Sequence, residues 1–263
     1  ADDVIGFFTG DLIDEDMAFL KEIYAGEVDV DKMDYLLRDS LFTGVHYGKF
    51  DYERLIHTLC LIPNPLDKGS FLLAIEEGGL HSLEALVLAR YFMFTQVYFH
   101  RIRRAYDLHL LEFLRRKVGK YPKDVNEFLL WDDIRVWQMM KENVGQEEDA
   151  KCIVDRRHFV EVFHTPEHCT DVDKTRFRWL QEKTTEKFPT MRILYDEADK
   201  VPRKFKKVDF YVKGNDGPQL VTNASEIINN LKKIQEFRIY VDRNQSDPVE
   251  EFCREFWRQK KSI

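Results

Sequence analysis

Cysteine is scarce: Cys60, Cys152, Cys169 and Cys253 are the only four in 263 residues, and none has CxxC spacing. This excludes a disulfide scaffold and fits reduced thiols in a cytoplasmic protein. Glycine and proline are also sparse, at 12 and 8, which excludes collagen-like and low-complexity classes. Basic side chains are outnumbered, 40 against 47, for a formal charge of −7. No global positive field is therefore offered to nucleic acid. The longest apolar stretch, Ala85 to Phe94, is interrupted by Arg90 and is too short to span a bilayer. The start, ADDVIGFFTG, carries no basic-then-apolar leader. P-loop, GxGxxG and GxSxG motifs are missing as well. What is present is core material: 44% hydrophobic residues, with 20 Phe.

The first two thirds read as helical. Asp14, Glu15 and Asp16 precede an apolar set from Met17 to Tyr24, closed by Gly26. A second helix starts at Asp29 or Asp31 and ends near Gly44. A third follows Asp51 through YERLIHTLCLI. SFLLAIE reads as a strand stopped by Gly78-Gly79. From Leu80 to Lys117 there is neither Gly nor Pro, and apolar residues crowd nearly every face up to Phe99. That predicts one long, central, buried helix whose polar interruptions, Arg90 among them, each need a partner. Further helices are expected over Trp131–Val144 and Thr170–Lys187. After Pro189, the runs MRILY, VDFYV and FRIYV alternate with ASEIINNLKKI and a last helix. The expected fold is mostly α, with a helical body over 1–188 and a small α+β domain over 189–263.

Residues 26–56 carry the strongest signal: GEVDVDKMDYLLRDSLFTGVHYGKFDYERLI. On a helix, Asp31, Tyr35, Arg38 and Phe42 lie within about 40° of one another, with Asp39 adjacent. Carboxylates, a phenol and a guanidinium on one face suit a cation and a sugar phosphate. A solvated acidic helix start, with Asp34 pairing Arg38, is the plain alternative.

The run VDVDKMDYLLRDS, followed by TGVHYG and DYERLI, resembles the segment after the metal-binding histidines of HD-domain phosphohydrolases. The similarity is to the bacterial branch related to dNTP triphosphohydrolases, which include dGTPases and the mammalian SAM-and-HD-domain dNTPase. ARYFMFTQVYFHRIRRAYDLHLLEFL resembles that fold's long helix, and FRIYVDR its bacterial tail. The resemblance implies that Asp31 is a ligand to a divalent metal (Mn, Mg, Ni, Fe or Zn). It implies Lys32 on substrate phosphate, Tyr35 against the sugar and Asp39 on a sugar hydroxyl. It adds phosphate and sugar contacts at Arg103, Arg104 and Tyr106. A (deoxy)nucleoside triphosphate substrate and a homo-oligomer, dimer or tetramer, follow from it too.

The departure is large. None of the eight histidines is followed by Asp, so the HD pair and the catalytic histidine of that family have no counterpart in this chain. They are expected upstream, with the chain alone catalytically silent and the full-length protein an enzyme. A non-catalytic oligomerisation or regulatory module derived from an HD enzyme is the other reading. Cys152, His158, His164, His168 and Cys169 invite a zinc reading, but ordinary packing histidines account for them as well. His100, Arg101, Arg103 and Arg104 read either as a phosphate-facing patch or as a solvated helix end with Arg103 paired to Asp107. The run KVPRKFKK, from Lys200 to Lys207, reads as a solvated turn.

Overall fold

The computed structural model describes residues 5–6, 19–65, 69–200 and 210–259. Asp14, Glu15, Asp16 and Met17, expected to open the first helix, lie outside those residues, as does the basic run 201–207. In chain order come α1 (Phe19–Ala25), α2 (Val30–Thr43), α3 (Tyr52–Thr58), β1 (Leu59–Pro63), β2 (Phe71–Glu76) and α4 (Leu80–Met93). Then follow α5 (Arg101–Lys117), α6 (Val125–Phe128), α7 (Asp133–Asn143), α8 (Glu148–Val154), β3 (Val160–His164) and α9 (Asp171–Lys187). The last elements are β4 (Ile193–Lys200), β5 (Tyr211–Gly214), β6 (Gly217–Leu220), α10 (Val221–Ala224), α11 (Glu226–Asn230), β7 (Ile234–Val241) and α12 (Ser246–Arg258). The fold is mostly α with a smaller α+β portion, as expected. No described helix is long and apolar enough to cross a membrane.

The chain forms two compact units, each built from two separate stretches: residues 1–97 with 200–233, and residues 98–199 with 234–263. The boundary expected near residue 188 falls inside the second unit. The late strands divide between two sheets, β5 and β6 joining β1 and β2 while β4 and β7 join β3.

In the first unit the sheet order is β1-β2-β5-β6. β1 and β2 pair antiparallel from Leu59↔Ile75 to Pro63↔Phe71, and β5 joins β2 in parallel. LCLI was expected to continue the third helix. The five-residue ladder to β2 and the burial of Ile62, Leu73, Ala74 and Ile75 outweigh that local preference. α4 buries Leu83, Leu86, Val87, Ala89 and Met93 beside them.

In the second unit the order is β3-β7-β4. β7 is buried on both faces. Phe237, Ile239 and Val241 join Val162, Phe177, Leu180, Val249 and Cys253. Tyr240 points the other way, to Ala105, Cys152 and Phe159, as the two-residue side-chain period requires. β3 was not expected from the sequence. A third cluster joins Phe113, Met140 and Ala150.

The long helix expected over Leu80–Lys117 is broken. A π-turn spans Phe94–Tyr98, and His100 is extended, at φ −58° and ψ 132°. Its Nδ1 accepts the Ile102 N–H and so caps a separate α5.

Candidate metal and substrate site

Four carboxylates crowd α2, and its cap geometry sorts them. Asp29 is the buried N-cap, accepting the Lys32 backbone N–H at 2.7 Å. It also accepts the Lys32 ammonium, which donates to the Gly26 carbonyl at 2.8 Å as well. Lys32 is thus folded back onto its own helix start. Asp34 takes both arms of Arg38 at 3.0 and 2.8 Å, the i,i+4 pairing named as the plain alternative. That pair is fully at the surface and contributes little. Asp31 remains. It is exposed in the first turn and has no hydrogen bond or ion pair among the described residues, and the helix N-terminus favours its charge.

One turn along, Tyr35 is half-buried. Burial pushes its phenol upward, opposed by Arg90 of α4, which donates a hydrogen bond to it. Arg90 is itself buried, reaches Glu27 at 3.4 Å, and leaves its Nε without a partner. Sequence reading marked Arg90 only as a polar interruption needing a partner. Asp39, half-buried, lies a further turn along the same helix.

α2 is held in place by Met33, Leu36 and Ser40. Ser40 Oγ accepts the Gly48 N–H at 2.7 Å and lies 3.6 Å from Met93 Sδ. A Cβ on Gly48 would sit 2.2 Å from the Leu36 carbonyl oxygen, so the returning loop needs glycine there. Gly48→Ala is therefore expected to cost about 1–3 kcal/mol, read as a lowered urea midpoint; an unchanged midpoint would show that the loop can shift away.

Arg103, Arg104 and Tyr106 belong to the second unit. Arg103 donates to the Tyr98 carbonyl and pairs with Asp107 at 3.4 Å, the solvated-helix alternative. Arg104 is bidentate to the buried carboxylate of Asp196, a partner far away in sequence. Tyr106 stacks on His158 with centroids 4.8 Å apart. The histidines and cysteines of the zinc reading have separate surroundings. His164 pairs with Glu161 at 3.0 Å, Cys169 donates to Thr165, and Cys152 is buried.

Among the described residues no three His, Cys, Asp or Glu side chains are placed to hold a metal ion. A bound divalent ion normally has three or more protein donors. The described residues therefore hold no complete metal centre.

The fold is that of known helical proteins. A phosphohydrolase from Bacteroides thetaiotaomicron shares it, with a TM-score of 0.67 at 20% identity, over 91% of this chain and 66% of that one. The family model of the HD associated region matches residues 50–262, and the chain belongs to that family; the acidic helix α2 precedes the matched region. A hypothetical protein from Aquifex aeolicus is similar over 95% of this chain and 64% of its own, with a TM-score of 0.81 and 34% identity. The uncharacterized protein YwfO of Bacillus subtilis (strain 168) is 37% identical over 94 residues, 36% of this chain and 20% of that protein. The uncharacterized protein MJ1154 of Methanocaldococcus jannaschii is 30% identical over 139 residues, 52% of this chain and 29% of that protein. The matches thus span less than a third of these two curated relatives.

Proposed function

We propose that the intact protein is an HD-type, metal-dependent phosphohydrolase acting on a (deoxy)nucleoside triphosphate. The observation that carries this reading is the sorting of the acidic helix. Asp29 and Asp34 are engaged by Lys32 and Arg38, while Asp31 stays exposed and unengaged, one turn from Tyr35. A divalent ion would supply Lewis-acid polarisation of a phosphoryl oxygen, but the described residues do not complete its centre, so no step is derived through it. What the chain itself supplies is one carboxylate ligand at Asp31, a sugar-packing ring at Tyr35 and an acceptor for a sugar hydroxyl at Asp39. Lys32 has two of its three N–H donors on the Gly26 carbonyl and Asp29, leaving one for a phosphate. Arg103, Arg104 and Tyr106 are proposed as substrate contacts on the resemblance, with Arg104 also tying α5 to β4 through Asp196.

A screen of the intact protein against nucleotides with Mn²⁺, Mg²⁺ and Ni²⁺ tests the reading. Metal-dependent release of phosphate or triphosphate is expected. No turnover with any nucleotide would favour the second reading, a non-catalytic oligomerisation or regulatory module. The exposed apolar strip of the second unit speaks for that alternative.

A further inference from the structure

α7 has two apolar faces, and only one is used. Val136, Met139 and Met140 pack inward on Phe113 and Ala150. On the outside, Ile134 is 75% and Trp137 41% exposed. They line an open groove of about 500 Å³ with Leu110, Asp133, Val136 and Met140. Just before α7 in the chain, Val125, Phe128, Leu129 and Leu130 are exposed as well. Scattered exposed apolar side chains are ordinary, but large ones beside an apolar groove mark a surface that is covered in the working protein.

The charges on this strip say what covers it. Asp133, Trp137 and Lys141 follow one another at i, i+4 and i+8, so they share one face of α7. The Lys141 ammonium lies 5.3 Å from the centroid of the Trp137 ring, which itself lines the groove. Asp133 lines the groove at the other end. The strip therefore runs acid, aromatic, base, with each charge about 6 Å from the Trp137 position along the helix axis. Such a strip is complementary to itself when turned end for end. Asp132 is already taken as the N-cap of α7, accepting the Arg135 N–H at 2.7 Å, while Asp133 has no hydrogen bond or ion pair among the described residues. A two-fold axis through the Trp137 position sets Asp133 against the partner's Lys141 and repeats the contact on the other side. This is the geometry of an isologous interface, with an aromatic residue at the centre, where binding energy concentrates.

We propose that the outer face of α7 is a self-association surface, on which a second copy of this chain packs antiparallel with Trp137 at the symmetry axis. The surface belongs to the second unit and does not depend on the phosphohydrolase reading. The charge order supplies register, because a parallel arrangement would set Asp133 against Asp133 and Lys141 against Lys141.

Sedimentation equilibrium of the intact protein over a concentration series tests this. Ile134→Lys should weaken self-association at least tenfold, since it puts a charge into an apolar contact one turn from the Trp137 axis. Ile134 is mostly exposed, so the variant should keep the wild-type circular dichroism spectrum and urea midpoint. Asp133→Lys and Lys141→Asp should each weaken association several-fold, and the double variant should restore it. A wild-type protein that is monomeric throughout would overturn the proposal. So would an assembly unchanged by Ile134→Lys, as would single charge reversals that the double variant does not rescue.

Discussion

Replacing Asp31 by Ala in the intact protein should reduce metal-dependent nucleotide hydrolysis by at least about 100-fold, because outer residues around metal sites already cost 10–100-fold in metal affinity or activity when removed. Folding should be unaffected. Asp31 is exposed, and it is Asp29, not Asp31, that caps α2. The appropriate comparison is Asp34→Ala, which removes a fully exposed, solvent-screened pair with Arg38 that contributes little. It should leave turnover within a few-fold of wild type. If both variants lose activity alike, the helix as a whole matters and Asp31 has no special part. If neither does, the assigned role of Asp31 is wrong. The pair of assays thus separates a ligand from a general acidic surface.

Asp149→Ala should destabilise the second unit by about 3 kcal/mol, towards the lower end of what removing one member of a buried ionic cluster costs. Asp149 is fully buried. It accepts from His109 Nδ1 at 2.6 Å, from Arg192 Nη2 on both oxygens at 2.7 Å, and from Arg116. His109 Nε2 in turn accepts the Phe159 N–H at 3.1 Å, so its ring proton sits on Nδ1 and points at the carboxylate. One side chain thereby ties α8 to α5, to the residue before β3 and to the residue before β4. Arg116 and Arg192 reach solvent, which is why the lower figure is taken. Burial alone would raise the Asp149 carboxyl, but the bonds from His109, Arg116 and Arg192 outweigh it and hold the group at about 2. An unfolded aspartate titrates near 3.9, so the group contributes about 2 kcal/mol at neutral pH. Since the folded value is depressed, that contribution is present above about pH 4 and is lost as the pH falls towards 2. Urea midpoints at pH 7, 4 and 3 should therefore converge for wild type and Asp149→Asn as the pH drops. A gap between them that stayed constant with pH would show that the carboxylate charge contributes nothing.

The acidic helix was legible in outline. Of the two expected starts, Asp29 and Asp31, the first is the N-cap, and Gly44 is the C-cap near the expected end, because capping chemistry is local and written in a few adjacent residues. Which aspartate stays free was not legible from spacing. That depends on Asp29 occupying the cap and drawing in Lys32, and on Asp34 meeting Arg38. β1 was misread because LCLI is as apolar as a buried helical turn, and only pairing with β2 decides between them. The break at His100 was hidden because neither Gly nor Pro marks it. The pairing of Arg104 with Asp196 was not legible, because the two lie 92 residues apart. The strands after Pro189 were visible as short apolar runs, yet their division between two sheets depends on distant partners, such as β2 for β5 and β3 for β7. Local chemistry was readable; long-range pairing was not.

The central claim is that Asp31 contributes a ligand to a divalent ion in the intact protein. Calorimetric titration of Mn²⁺ into metal-stripped intact protein, wild type beside Asp31→Ala, tests it most directly. The account predicts a tight site in wild type that Asp31→Ala weakens at least about tenfold, by comparison with the loss seen for outer residues of metal sites. Equal affinity and stoichiometry in the two proteins would contradict it.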